Sequence, residues 1–140
     1  MKKTIVFLET EFTTVVDHID TLQQEGYDVL EYRTAKELIS QISNNHIHAD
    51  LIITEHLLSG VGDENSFGGK RKSFFDDCAI LLADELKRID FKGKLIVLTS
   101  WYDAKIIKQL QDSEKFDSVL AKLLTGPDEL LDIVNKVLFE

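Results

Sequence analysis

Four short stretches place polar side chains immediately after apolar, β-branched runs. Glu9-Thr10-Glu11 follows TIVFL, Glu55-His56 follows LIIT, Thr99-Ser100 follows LIVL, and Lys122 follows SVLA. If the apolar runs are parallel strands of one sheet, their C-terminal ends lie along a common edge, where open α/β sheets bind ligands. Two or three carboxylates, a hydroxyl and an amine would then meet in one pocket. Scattered surface charge explains this only if the same polarity arose at four strand ends by chance.

The order of elements supports that arrangement. Apolar, β-branched segments occur at Thr4–Leu8, Tyr27–Tyr32, Leu51–Thr54, Leu95–Thr99 and Ser118–Ala121. Segments of helical periodicity alternate with them. In the first, Phe12, Val15, Ile19 and Leu22 share a face, and Gly26 marks its end. The second opens on the capping box Thr34-Ala-Lys-Glu37, followed by Leu38 and Ile42. The third carries Phe75, Cys78, Leu82, Leu86 and Ile89 at spacings of three and four, which makes Cys78 a buried small apolar residue and not a nucleophile. The fourth starts near Asp103 and uses Ile107 and Leu110. The fifth has Thr125 as its cap, Pro127 in the first turn, Asp128 and Glu129 facing the positive end of the helix dipole, and Leu130, Val134 and Val137 on its buried face. Strict strand–helix alternation predicts a parallel sheet covered on both faces, with right-handed crossovers.

The chain's 140 residues suit one domain spanning 1–140. With 44% apolar and 29% charged residues it reads as a folded protein. No apolar run reaches the roughly 20 residues of a membrane helix, and MKKTIVFLETEF lacks a cleavage site, so neither a membrane nor a secretory role is expected. A single cysteine points to a reducing, cytoplasmic setting. A net charge of −9 argues against nucleic acid as a partner. The one irregularity is a stretch at about 57–73, far longer than the usual connection of about 2–6 residues. It contains the basic island Lys70-Arg71-Lys72, beside Phe67, Phe74 and Phe75.

In this order the residues resemble the receiver domains of two-component response regulators, from IVFLETE through DLIITEHLLSG and IVLTSW to DSVLAKLL. The resemblance implies a CheY-like, flavodoxin-like fold: three layers around a doubly wound, five-stranded parallel sheet in the order 2-1-3-4-5. It assigns Glu55 to the phosphoacceptor, Glu9 and Thr10 to the acidic pair, with Glu11 beside them, and Thr99 and Lys122 to the groups that contact the phosphoryl. The departures are specific. Glutamate replaces the acceptor aspartate, Thr10 replaces half of the acidic pair, Leu123 replaces the proline after the lysine, and Val119 replaces the aromatic switch residue.

These substitutions have physical consequences. Glutamate carries its carboxylate about 1.5 Å farther out, and a shift of about 1 Å at a reacting centre costs on the order of 100-fold. Glu9 and Glu55 would form at most a weak Mg2+ site, because Mg2+ demands near-octahedral oxygen geometry, and no other cofactor is expected. The same lengthening pushes negative charge towards Thr99 and Lys122, as a phosphorylated aspartate does, and so implies a constitutive state. The expected function is an atypical, stand-alone receiver without an output domain, since the chain ends at its fifth helix. It would be no enzyme, and would signal through protein contacts without normal aspartyl phosphorylation. Alternatives are a receiver phosphorylated on Glu55 or a neighbour, and a flavodoxin-like binder of a small ligand. His56 reads as a loop histidine, and cobalamin is not the expected ligand because Thr54 and Ser59 break the D-x-H-x-x-G pattern.

Partners implied by the resemblance are a sensor kinase or a downstream signalling protein, with homodimerisation as a further option. The face formed by the fourth helix, fifth strand and fifth helix is the leading surface, with Trp101 and Tyr102 near it. Lys70, Arg71 and Lys72 form a second candidate surface.

Overall fold

A computed structural model of the protein describes residues 2–56, 74–100 and 103–140, without the side chains of 74–78. The long connection with Lys70, Arg71 and Lys72, the aromatic pair Trp101 and Tyr102, and the side chains of Phe74, Phe75 and Cys78 lie outside the described residues. The strands are β1 (Thr4–Leu8), β2 (Asp28–Tyr32), β3 (Leu51–Thr54), β4 (Lys94–Thr99) and β5 (Ser118–Ala121). They pair in parallel in the order β2-β1-β3-β4-β5, as expected. The helices are α1 (Val16–Gln24), α2 (Ala35–Ser43), α3 (Phe74–Arg88), α4 (Ala104–Asp112) and α5 (Pro127–Phe139). None among the described residues is long and apolar enough to cross a membrane.

Strand side chains alternate between two buried layers, as the two-residue period of a strand requires. Val6, Leu8, Ile52 and Leu95 face one way, against Leu38 of α2 and Leu82 and Leu86 of α3. Ile5, Phe7, Leu51, Ile53, Ile96 and Leu98 face the other way, against Ile19 and Leu22 of α1 and Leu130 and Val134 of α5. Val97 joins Leu110 of α4 in a smaller cluster on the first side. The apolar stripes thus sort the helices into a layer on each face of the sheet.

Local signals explain most boundaries. Thr34 Oγ1 accepts from the Glu37 N–H at 3.2 Å, the forward half of the expected capping box. Asp103 caps α4 by accepting from the Lys105 N–H at 2.8 Å. Two expectations shift. Phe12 lies in a separate 3-10 turn, Phe12–Thr14, and α1 begins only at Val16. Thr125 does not cap α5: its hydroxyl turns back to donate to the Ala121 carbonyl at 2.9 Å, and Gly126 becomes the cap.

Gly93 begins the turn into β4 under a steric demand, since an added Cβ would lie 2.8 Å from the Ala49 carbonyl oxygen and 2.9 Å from that of Asp50. Gly26 ends α1 with φ of +101°, a conformation other residues adopt only under strain. Gly26→Ala should therefore cost about 1–2 kcal/mol, read as a lowered urea midpoint with an unchanged m-value.

Candidate functional site

The sheet register brings the predicted residues to one edge. Leu8 lies beside Tyr32 and Thr54, and Thr99 beside Ala121. The ladder continues one residue past the strands, with the Glu9 N–H on the Tyr32 carbonyl and the Glu55 N–H on the Leu8 carbonyl, each at 3.1 Å. Glu9, Glu55 and Lys122 leave the ends of β1, β3 and β5 as side-chain neighbours, and they are only 4%, 6% and 8% exposed.

Lys122 Nζ is the centre of the cluster. It donates to Glu9 Oε1, pairs with Glu55 Oε2 at 3.2 Å, and donates to Thr14 Oγ1 at 3.1 Å. Two of the three N–H groups of the ammonium thus have hydrogen-bond acceptors, and the second carboxylate lies within ion-pair distance. Glu9 Oε2 accepts from the Thr10 N–H at 3.0 Å. Glu55 Oε1 accepts from the His56 N–H at 2.7 Å. Glu55 Oε2 accepts from the Ser100 N–H at 2.8 Å and the Ser100 hydroxyl at 3.0 Å. The Thr99 hydroxyl, fully buried, also bonds Glu55.

Burial is the largest influence on the Glu55 pKa and would raise it. Hydrogen bonds from Thr99 and the Ser100 N–H, then the charge of Lys122 and the His56 N–H, together outweigh it and hold the carboxyl below its ordinary value. Glu55 is therefore an anion stabilised at the junction of three strands.

The other expected site residues sit at the rim. Thr10 and Glu11 line a cavity of about 190 Å3 with Glu9, Thr14, Glu55, Ser100 and Lys122. Glu11 remains exposed, and its backbone carbonyl, not its carboxylate, takes the Thr14 hydroxyl at 2.7 Å. His56 lies in the bend directly after β3, as a loop histidine should, and is fully buried there. Three participants had no assigned role from sequence: Thr14, Ser100, and Arg33, which donates to the Thr10 carbonyl at 3.0 Å and lies 5.1 Å from the Phe12 ring. Ser100 is one residue past the hydroxyl that was assigned, so only its adjacency pointed to it. A larger hollow, about 380 Å3, opens at the opposite end of the sheet. Several of its charged groups pair with one another, His48 with Asp50 and Lys92 with Asp90, and it has none of the convergent buried polarity of the smaller cavity.

The donor set does not fit Mg2+. Mg2+ needs free oxygen lone pairs in near-octahedral array, whereas both carboxylates are already engaged by Lys122 and by backbone N–H groups, and Thr10 supplies no charge. Among the described residues no group of three or more acidic, histidine or cysteine side chains could hold a metal. The positive charge at the centre of this pocket belongs to lysine.

Two measurements check this account. Lys122→Ala leaves two buried carboxylates without their cation and should cost about 3–5 kcal/mol. Magnesium chloride should raise the melting temperature of that variant and leave the wild-type value unmoved. For Glu55, a folded pKa below its usual 4.5 gives a stabilisation that is complete above that value and is lost as the pH falls through the folded pKa. The wild-type melting temperature should therefore drop more steeply between about pH 5 and pH 3 than that of Glu55→Gln.

No family model matches the chain, and no curated protein matches it. Among solved structures it is similar to a response regulator from Desulfuromonas acetoxidans, at 24% identity and a TM-score of 0.71, over 97% of this chain and 96% of that one. It is likewise similar to a CheY-like response regulator receiver domain from Methanospirillum hungatei, at 19% identity and a TM-score of 0.73, over 99% and 94%. RcsB from Salmonella enterica serovar Typhimurium, solved on promoter rprA with the phosphomimetic BeF3-, matches at 18% identity and a TM-score of 0.74, over 97% and 98%. At these identities the shared property is the fold. The chain has the doubly wound, five-stranded architecture of response-regulator receiver domains.

Proposed function

We propose that the protein is a receiver-like signalling module whose pocket carries a permanent negative charge, and that it acts by binding other proteins and not by catalysis. Glu55 takes the position of the phosphoacceptor, and Thr99 and Lys122 take those of the groups that would answer a phosphoryl. The observation that carries this reading is the bonding of Glu55 Oε2, which engages the Ser100 N–H and hydroxyl and reaches Lys122. One glutamate side chain thereby ties β3 to the ends of β4 and β5. In a receiver with aspartate, a shorter side chain would need the added phosphoryl oxygens to span that distance.

The magnitudes are adequate. A tenfold preference for one conformation needs about 1.4 kcal/mol, and a single hydrogen bond to a charged acceptor contributes about 1.5–3 kcal/mol. Glu55 makes several, although only the part that differs between conformations biases the equilibrium. The valine at position 119, packed against the small cluster around Val97 and Leu110, offers no large ring to swing between positions. Both features support a module held in one state, read by a sensor kinase or a downstream protein in the cytoplasm.

Intact-mass measurement after incubation with acetyl phosphate and Mg2+ should show no added phosphoryl group. A phosphorylated product would replace this reading with that of a working phosphoacceptor. In Glu55→Gln, amide resonances of Thr99, Ser100 and Lys122 should move together, because the anion that gathers them is gone. An unchanged spectrum would sink the proposal.

A further inference from the structure

The hollow of about 380 Å3 at the end of the sheet opposite Glu55 is walled by three segments. Ile42 near the end of α2 and Ile47 in the connection to β3 form one wall. Ile89 and Phe91, between α3 and β4, form a second, and Leu138 in the last turn of α5 a third. All five pack on the core, yet each is only half-buried, so a concave apolar surface is left open. Its floor is fixed. The Asp50 N–H donates to the Thr4 carbonyl and the Lys94 N–H to the Asp50 carbonyl, each at 2.9 Å. Gly93 is pressed so closely on the Ala49 and Asp50 carbonyls that an added Cβ would collide with both. A preformed, mostly apolar concavity of about 300–1,000 Å3 is the usual form of a small-ligand site.

The rim is cationic, in a chain of net charge −9. Lys3, Lys92 and Lys94 border the opening, with Asp50 and Asp90. Both acids are engaged: Asp50 by the Thr4 N–H at 2.8 Å and by His48 at 3.1 Å, and Asp90 by Lys92 at 2.7 Å. Among the described residues neither Lys3 nor Lys94 has an ion-pair partner. The Lys3 ammonium instead lies 5.9 Å from the centre of the Phe139 ring. Phe139 is 64% exposed and carries apolar surface beyond the hollow. Strand alternation puts Lys3 in phase with Ile5 and Lys94 in phase with Ile96. Both amines therefore leave the sheet on the side of α5, where Leu138 lies, while the isoleucines and Phe91 belong to the layer of α2 and α3. Only β3 separates β1 from β4, a gap of about 10 Å that two lysine side chains can close on one anion. An apolar hollow alone accepts a neutral molecule; amines at its mouth select an anionic one. Large polyanions such as nucleic acid are repelled by the domain as a whole, so the ligand is small.

We infer that this hollow binds a small organic acid. An aromatic or branched apolar body sits among Ile42, Ile47, Ile89 and Phe91, and its carboxylate or sulfonate is held at the mouth by Lys3 and Lys94. The site stands at the opposite end of the sheet from Glu55 and does not depend on how the pocket there is read.

The test titrates the whole protein with anilinonaphthalene sulfonate, read by fluorescence, beside phenylnaphthylamine, the same skeleton without the sulfonate. The sulfonate should bind saturably at one site per chain and raise the melting temperature, and the neutral dye should bind at least tenfold more weakly. Lys3→Gln with Lys94→Gln should weaken the sulfonate at least tenfold, flatten its salt dependence and leave the neutral dye unchanged. Neither amine is buried, so the melting temperature of that variant should match the wild type. Ile47→Trp, which fills the hollow, should weaken both dyes several-fold; where it lowers the melting temperature, the lysine pair decides. Amide shifts on the wild-type protein should centre on residues 42–50 and 89–94. Unsaturable binding, equal affinity for the neutral dye, or undiminished binding by the double lysine variant would each overturn the inference. So would shifts centred on the exposed Leu123 and Leu124, or on Glu55. No substitution touches Glu9, Glu55 or Lys122, so failure here leaves the reading of that pocket intact.

Discussion

Lys122 is an ammonium buried between two carboxylates, and the site end of the molecule is organised around the demands of that cluster. Taking ions out of water costs several kcal/mol each, and the cost is met only when every donor and acceptor finds a partner. Here the ammonium donates to Glu9 and Thr14 and pairs with Glu55. The cluster still holds one negative charge in excess, which backbone N–H groups of Thr10, His56 and Ser100 absorb. The partners come from the ends of β1, β3, β4 and β5, so satisfying the lysine ties the register of the sheet to the geometry of the pocket. A one-residue slip in any strand would turn its polar terminus to the wrong face.

On the function proposed above, the residues that would separate this pocket from an ordinary receiver pocket fit one another. The Glu55 side chain reaches Ser100 and the lysine unaided. A neutral Thr10 in place of a second acid lets one lysine balance most of the charge. With the ammonium in the centre, the oxygens that would bind a divalent ion are turned inward and occupied. On that reading each change taken singly would weaken a phosphotransfer site. Taken together they make an electrostatically closed cluster, with a Glu55 pKa held down despite burial.

The two faces of the sheet also differ in what they present. α2 and α3 cover one side, and α1 and α5 the other. The second side is acidic along α1 and the first turns of α5, and at its site end the turn rooted in Lys122 puts Leu123 and Leu124 into solvent. The pocket and the exposed leucines are consecutive in sequence, so any movement of the lysine moves the surface as well.

The order of elements, the layers and the strand ends carrying Glu9, Glu55, Thr99 and Lys122 were legible in the sequence. Apolar period and chain order determine them locally: five runs of β-branched residues, each stopping on a polar one, leave few ways to arrange a parallel sheet. Which polar groups meet was decided only in three dimensions. Glu11 was expected beside Glu9 in the acidic pocket, but two residues farther along the chain its side chain stays exposed at the rim. Thr125 has the chemistry of a cap, yet the Ala121 carbonyl claims its hydroxyl. Ser100, Thr14 and Arg33 become participants because register and loop direction bring them within hydrogen-bond reach. Such contacts depend on distances of an ångström or less between segments far apart in sequence, and local pattern does not encode distances between segments until the core has packed them together.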